Sequence, residues 1–215
     1  MLIQKNAKLL MIGDSITDAG RAKPVGEGLF NATGTGYVSL VDALLGVWRP
    51  DLAIRVVNMG LSGNTVRDLK NRWQTDVIDH KPDWLSIMIG INDVWRQYDL
   101  PRQKEIHVPI DEYERTLDEL VTRTKPALKG LVLMTPFYIE SSPTDAMRAT
   151  MDLYGQAVKR VALKHGTIFV DTQAAFNETL QHVYAATLAW DRVHPGTTGH
   201  MVIARAFVRA VGLPV

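Results

Sequence analysis

The chain contains no cysteine. That excludes disulfides, thiol nucleophiles and thiolate metal sites, and it fits a reducing compartment. An excess of either charge is also missing: 24 Lys and Arg against 23 Asp and Glu leave a formal net charge of +1. Such a balance gives no reason to expect a nucleic-acid or membrane partner. No apolar run approaches the roughly 20 residues that cross a bilayer. Residues 1–6 do not form the apolar region of a signal peptide, so a cytoplasmic protein is expected. No repeat, low-complexity tract or linker interrupts the 215 residues, and a single domain over 1–215 is expected.

What is present is a regular alternation. Five short apolar runs read as strands: Leu9–Ile12, Ile54–Val57, Trp84–Ile89, Leu131–Met134 and Ile168–Val170. Runs of this length with little alternation suit parallel strands covered on both faces. Between them, Ile110, Tyr113, Leu117, Leu120 and Val121 recur at helical spacing, and Asp111 with Glu114 resembles a capping box at that start. Ser142-Pro143 reads as the opening of the next helix, N-cap then first-turn proline. Its inward face is Met147, Met151, Tyr154, Val158 and Val161, and Gly166 ends it. A last helix over about Thr197–Val211 turns Ile203, Phe207 and Val211 inward. Strands alternating with helices give an α/β sandwich around a parallel sheet.

Ligand sites in such sheets form beyond the carboxyl ends of the strands. The polar, glycine-bearing segments fall there: Gly13-Asp14-Ser15, Asn58 to Asn64, and Gly90-Ile91-Asn92-Asp93. Serine is a poor nucleophile unless a base takes its proton, and that base needs a carboxylate to fix its tautomer. Ser15 follows the first strand, and Asp191 with His194 supplies carboxylate and imidazole three residues apart near the other end of the chain. Ester hydrolysis also needs donors at the developing oxyanion. The Ser15 amide, a close approach at Gly63 and the Asn92 side chain are candidates for that hole. Asp14, beside Ser15, reads as a structural hydrogen-bonding residue, and so does Asp93.

These residues carry a family resemblance. The chain resembles an SGNH hydrolase of the GDSL esterase family, whose blocks contain in order a serine, a glycine, an asparagine and a histidine. Here they are Ser15 in Gly-Asp-Ser-Ile, Gly63 in Ser-Gly-Asn-Thr, Asn92 in Gly-Ile-Asn-Asp and His194 in Asp-Arg-Val-His. Isoleucine stands where the family name has leucine. The resemblance spans residues 13 to 194. It implies a flavodoxin-like three-layer α/β/α fold with a five-stranded parallel sheet. It further implies a Ser15-His194-Asp191 triad, an oxyanion hole of Ser15, Gly63 and Asn92, and no metal or organic cofactor. The family includes esterases, thioesterases, lysophospholipases and carbohydrate deacetylases. With Trp190 before Asp191 and the His194-to-His200 ending, the chain looks most like intracellular acetylxylan esterases, so a small acetylated saccharide is the expected substrate.

Other features have plainer readings. Trp95 and Trp190 are candidates for the substrate cleft, where sugar rings stack on aromatic faces, and Trp190 reads equally well as a contact in a homo-oligomer. His80, His107, His165, His182 and His200 have no paired metal spacing, and His200 is the one expected to support the triad. The polar segments Thr17–Gly36 and Val94–Pro109 read as loops walling the site, the first of them mobile. The rival chemistry is a metal-dependent phosphoesterase using Asp14, Asp18, Asn64, Asn92, Asp191 and His194, which needs further ligands. A sugar-binding module would have no use for the base.

Overall fold

The computed structural model describes residues 1–213. Its centre is a five-stranded, wholly parallel sheet in the order β2-β1-β3-β4-β5. The strands are β1 (Lys8–Gly13), β2 (Arg55–Asn58), β3 (Trp84–Met88), β4 (Gly130–Met134) and β5 (Ile168–Val170), each within a residue or so of an expected run. Leu9, Leu10, Met11 and Ile12 are fully buried, because β1 is an interior strand, between β2 and β3, with helices on both faces of the sheet. Register pairs Leu10 with Val57 on one side and with Leu85 on the other.

The helices are α1 (Ser15–Asp18), α2 (Tyr37–Trp48), α3 (Val66–Trp73), α4 (Ile91–Asp99), α5 (Ile110–Thr124), α6 (Ala146–His165), α7 (Thr172–Leu180), α8 (Ala185–Leu188) and α9 (Thr197–Ala210). Helix α9 packs against α2 and α7, while α5 packs between α3 and α6. The expected inward faces of α5, α6 and α9 are buried, except Ile110 at the start of α5, which is half-buried.

Two helix starts differ from expectation. Helix α5 begins after Pro109, so Asp111 already lies within the first turn and caps nothing, while Glu114 is held by Arg160 on α6. Helix α6 begins three residues beyond Pro143, where the Asp145 carboxylate accepts the Arg148 amide at 3.0 Å. Ser142 instead donates its amide to Glu140. A carboxylate that reaches the third amide is the better cap. Gly166 ends α6 at φ +58°, as expected.

The two segments read as loops are also more ordered than expected. Val94–Pro109 starts as helix, because α4 runs to Asp99. Thr17–Gly36 is pinned by Arg21, only 6% exposed, whose Nε donates to the Gly60 carbonyl at 2.6 Å. Asn58 Nδ2 donates to the Thr17 and Thr33 carbonyls, and Gly26 exchanges backbone bonds with Asn58, covering the β2 edge. The tip is apolar: Leu29 and Phe30 stand out in solvent.

Candidate active site

Ser15 is the first residue of α1, directly beyond β1. Asp14 caps the helix by accepting the Ile16 amide at 3.0 Å, the structural role read from sequence. The turn requires Gly13, since a Cβ there would lie 2.3 Å from both the Met88 carbonyl oxygen and Thr17 Oγ1. The sharp approach sets Ser15 Oγ 2.9 Å from His194 Nε2. His194 Nδ1 lies 2.6 Å from Asp191 Oδ2. The expected triad residues therefore form one hydrogen-bonded line, although Ser15 and His194 are 179 positions apart.

The line has a direction. Burial alone would raise the Asp191 carboxyl, but bonds from the His194 ring and from the His194 and Val193 amides hold it below the ordinary carboxylate value. An ionised carboxylate only accepts, so the proton sits on Nδ1 and the Nε2 lone pair faces the serine hydroxyl. The loop is fixed at its apex, where Arg192 adopts φ +62°, its carbonyl accepts the Ile139 amide at 2.9 Å, and its guanidinium pairs with Glu140. Trp95 on α4 meets the His194 ring edge-on, with centroids 5.8 Å apart. Trp95 therefore lies beside the His194 imidazole. Trp190 is 91% exposed and packs on little of its own chain. His200 does not hydrogen-bond to the triad: its Nδ1 accepts the Tyr37 amide, and burial, then the nearby His194, lowers its pKa to about 4. It is a neutral core imidazole that anchors α2 to α9.

The three expected oxyanion donors lie beyond adjacent strands: Ser15 after β1, Gly63 after β2 and Asn92 after β3. Gly63 sits at φ +82°, a conformation that favours glycine. Asn92 is buried in the first turn of α4 and donates one Nδ2 hydrogen to the Asn64 carbonyl at 2.9 Å, which leaves the second. Its Oδ1 accepts from Arg96, whose guanidinium also lies over the Trp95 ring.

Sequence reasoning missed Arg72. From α3, its Nε donates to Asn64 Oδ1 at 2.6 Å, Nη1 to the Met59 carbonyl at 2.8 Å and Nη2 to the Gly13 carbonyl at 3.0 Å. One guanidinium thus ties the loops after β1 and β2 together. No local spacing signals this, because its acceptors meet only in the folded sheet.

Two carboxyls beneath the site are fully buried. Burial raises Asp14 to about 7, against the Ile16 amide and the charges of His194 and Arg72. Burial likewise raises Asp93 to about 7: Oδ1 accepts the Val66 amide, but Oδ2 is buried without a partner. The folded state holds the Asp93 proton more tightly than the unfolded chain, whose carboxyl keeps the ordinary 3.8. The stability this gives is complete below 3.8 and is lost as pH rises through about 7. Asp93→Asn has no such proton to lose. Its melting temperature relative to the unsubstituted protein is expected to climb from mildly acidic to mildly alkaline pH; a difference flat with pH would refute the assignment.

The donors of the metal-dependent reading do not converge. Asp18 is held by Lys23 and Ser62, Asn64 by Arg72, and Asp14 faces the Ile16 amide. Among the described residues no three His, Asp or Glu side chains group as metal ligands.

Serine, imidazole and carboxylate in line at the carboxyl edge of a parallel sheet, with candidate oxyanion donors after the adjacent strands, make the constellation of a serine-dependent acyl hydrolase. Residues 11–202 match the GDSL-like lipase/acylhydrolase family, and the chain belongs to that family as a carboxylic ester hydrolase. It is 65% identical over 212 residues to an acetylxylan esterase of Geobacillus stearothermophilus, covering 99% of this chain and 97% of that one. The crystal structure of that organism's acetylxylan esterase Axe2 superposes with a TM-score of 0.98 at 64% identity, over 100% of this chain and 98% of the other. Axe2 has also been solved as catalytic mutants with alanine at the positions numbered 15, 191 and 194. LAE5, an alpha/beta hydrolase from the metagenome of Lake Arreo, Spain, is 57% identical with a TM-score of 0.97, over 99% of this chain and 98% of its own.

Proposed function

We propose that the protein removes acetyl groups from acetylated xylo-oligosaccharides through an acetyl-enzyme on Ser15. The observation that carries the chemistry is the unbroken line from Ser15 Oγ through His194 to Asp191, at 2.9 and 2.6 Å. Ser15 Oγ attacks the acetyl carbonyl as its proton passes to His194 Nε2. Asp191 stabilises the imidazolium without taking the proton. The oxyanion is held by the Ser15 and Gly63 amides and by the free Asn92 Nδ2 hydrogen. The imidazolium then protonates the departing sugar oxygen. Water, deprotonated by the same nitrogen, attacks the acetyl-serine, and acetate leaves with Ser15 Oγ reprotonated. The catalytic alanine mutants of Axe2 fall on these three residues, which supports the roles.

The substrate reading is supported by the 65% identity to an acetylxylan esterase and by Trp95 beside His194, an aromatic face for a sugar ring. The rival substrates are longer acyl esters, thioesters or lysophospholipids. In a long apolar groove each methylene would add about 0.8 kcal/mol of binding, so rates would rise with chain length. The expected trend is the opposite: acetyl best, with a steep fall by butyryl, and acetylated xylo-oligosaccharides deacetylated in excess chelator. Acid release measured across an acyl series decides it, and faster cleavage of octanoyl esters or acyl-thioesters sinks the deacetylase reading.

A homo-oligomer is the proposed assembly, supported by the exposed Trp190, Tyr184, Leu29 and Phe30. Light scattering giving the 24.0 kDa chain mass would overturn it. The cytoplasm is the proposed compartment, on the cysteine-free composition, and fractionation of the producing cell tests it.

A further inference from the structure

Beyond the ends of β4 and β5, between α6 and α7, the chain leaves an open cavity of about 230 Å³. It opens at the carboxyl edge of the sheet, but Ser15, Gly63, Asn92, Asp191 and His194 do not line it. We propose that this cavity is a second, non-catalytic site that binds a neutral polyhydroxylated ligand, one sugar ring at a time.

Three observations carry this. The first is Arg148, which lines the cavity and is only 5% exposed. Its Nε donates to Asp152 at 2.8 Å and its Nη1 to the Glu140 carbonyl at 2.5 Å. Its Nη2 has no acceptor among the described residues, which leaves it a donor for a ligand. The second is Gly155, in the interior of α6, where glycine is the poorest helix former after proline. Packing does not demand it: an added Cβ would meet Thr135 no closer than 3.7 Å, an ordinary contact. What the missing side chain leaves is room in the cavity for one pyranose-sized ring.

The third is the lining chemistry. Asn177 accepts from Gln173 through Oδ1, which leaves its NH2 free to donate. Asp152 and Asp171 each have one oxygen engaged, by Arg148 and by the Ala174 amide, and one left to accept. Donors, acceptors and the apolar Phe169 thus line the same cavity. Hydroxyl groups, which both donate and accept, satisfy such a rim, and a sugar presents them around an apolar ring face. Two carboxylates against one guanidinium leave the cavity net negative, which disfavours phosphate and carboxylate ligands.

The choice of xylobiose as probe rests on the proposed substrate; the site does not. The test is amide NMR of the enzyme with Ser15 capped by an organophosphonate. Xylobiose is expected to shift the Gly155 and Asn177 signals saturably, whereas inorganic phosphate and acetate leave them in place. Gly155→Met fills the cavity, so the Asn177 shift is expected to vanish while turnover of an activated acetyl ester is unchanged. Should that variant fold poorly, Asn177→Leu with the Gly155 signal as readout gives the same decision. No shift at the highest soluble xylobiose concentration overturns the proposal. So does an equal response to phosphate or acetate, or a shift that survives the substitution. Deacetylation of acetylated xylo-oligosaccharides by the same uncapped preparations reports separately on the proposed function.

Discussion

Ser15→Ala is expected to lower kcat on acetyl esters by on the order of ten-thousandfold or more, with binding little changed. The hydroxyl 2.9 Å from His194 Nε2 is the group that forms the new bond, and alanine has nothing to put in its place. His194→Ala should cost as much, because a serine without its base is no better than no serine. The double variant should be no worse than either single one, since the pair acts as a unit. Asp191→Ala should retain more activity: the imidazole keeps its base nitrogen and loses the partner at 2.6 Å that sets its tautomer. An organophosphonate should label Ser15 alone. Labelling elsewhere, additive losses in the double variant, or a fully active Ser15→Ala protein would each remove the triad assignment.

Asn92→Ala is expected to lower kcat by about 10² to 10³ with KM nearly unchanged, the signature of a donor that matters only once charge develops on oxygen. Asn92 is placed for this by bonds at both ends of its amide, Nδ2 to the Asn64 carbonyl and Oδ1 from Arg96. Removing it also frees the Asn64 carbonyl, so the fold should be checked by thermal melting alongside the kinetics. A rise confined to KM would make Asn92 a substrate-binding residue and leave the oxyanion hole with its two backbone donors.

Much of this was legible in the residues. Five apolar runs without alternation could be read as buried parallel strands, because a strand covered on both faces has no side to leave polar, and β1 to β5 fall where those runs lie. Ser15, Gly63, Asn92 and His194 were legible because each sits in a short segment whose glycine, proline or polar residues mark a turn after an element. Helix starts were read less well. Asp111 with Glu114 and Ser142 with Pro143 both have capping chemistry, yet Pro109 and Asp145 are the residues that precede α5 and α6. A cap is chosen by where the chain can turn toward the sheet, and several residues nearby can satisfy the same amides.

By itself the sequence determined the fold class and the order of elements, which follow from apolar periodicity, and it singled out candidate reacting groups from which side chains can carry a nucleophile, a base and a donor and from the blocks that resemble the family. Only the tertiary structure decided how those groups are held. The 2.9 Å approach of Ser15 to His194 depends on a sheet order that brings the last loop back over β1 and on a turn that admits no side chain at Gly13. Arg72 and the buried Asp93 owe their roles to partners far away in the chain, Gly13 and Val66, and His200 lost its expected one because its imidazole serves the Tyr37 amide instead. Hydrogen bonds and burial are properties of neighbours in space, and a linear pattern records neighbours only along the chain.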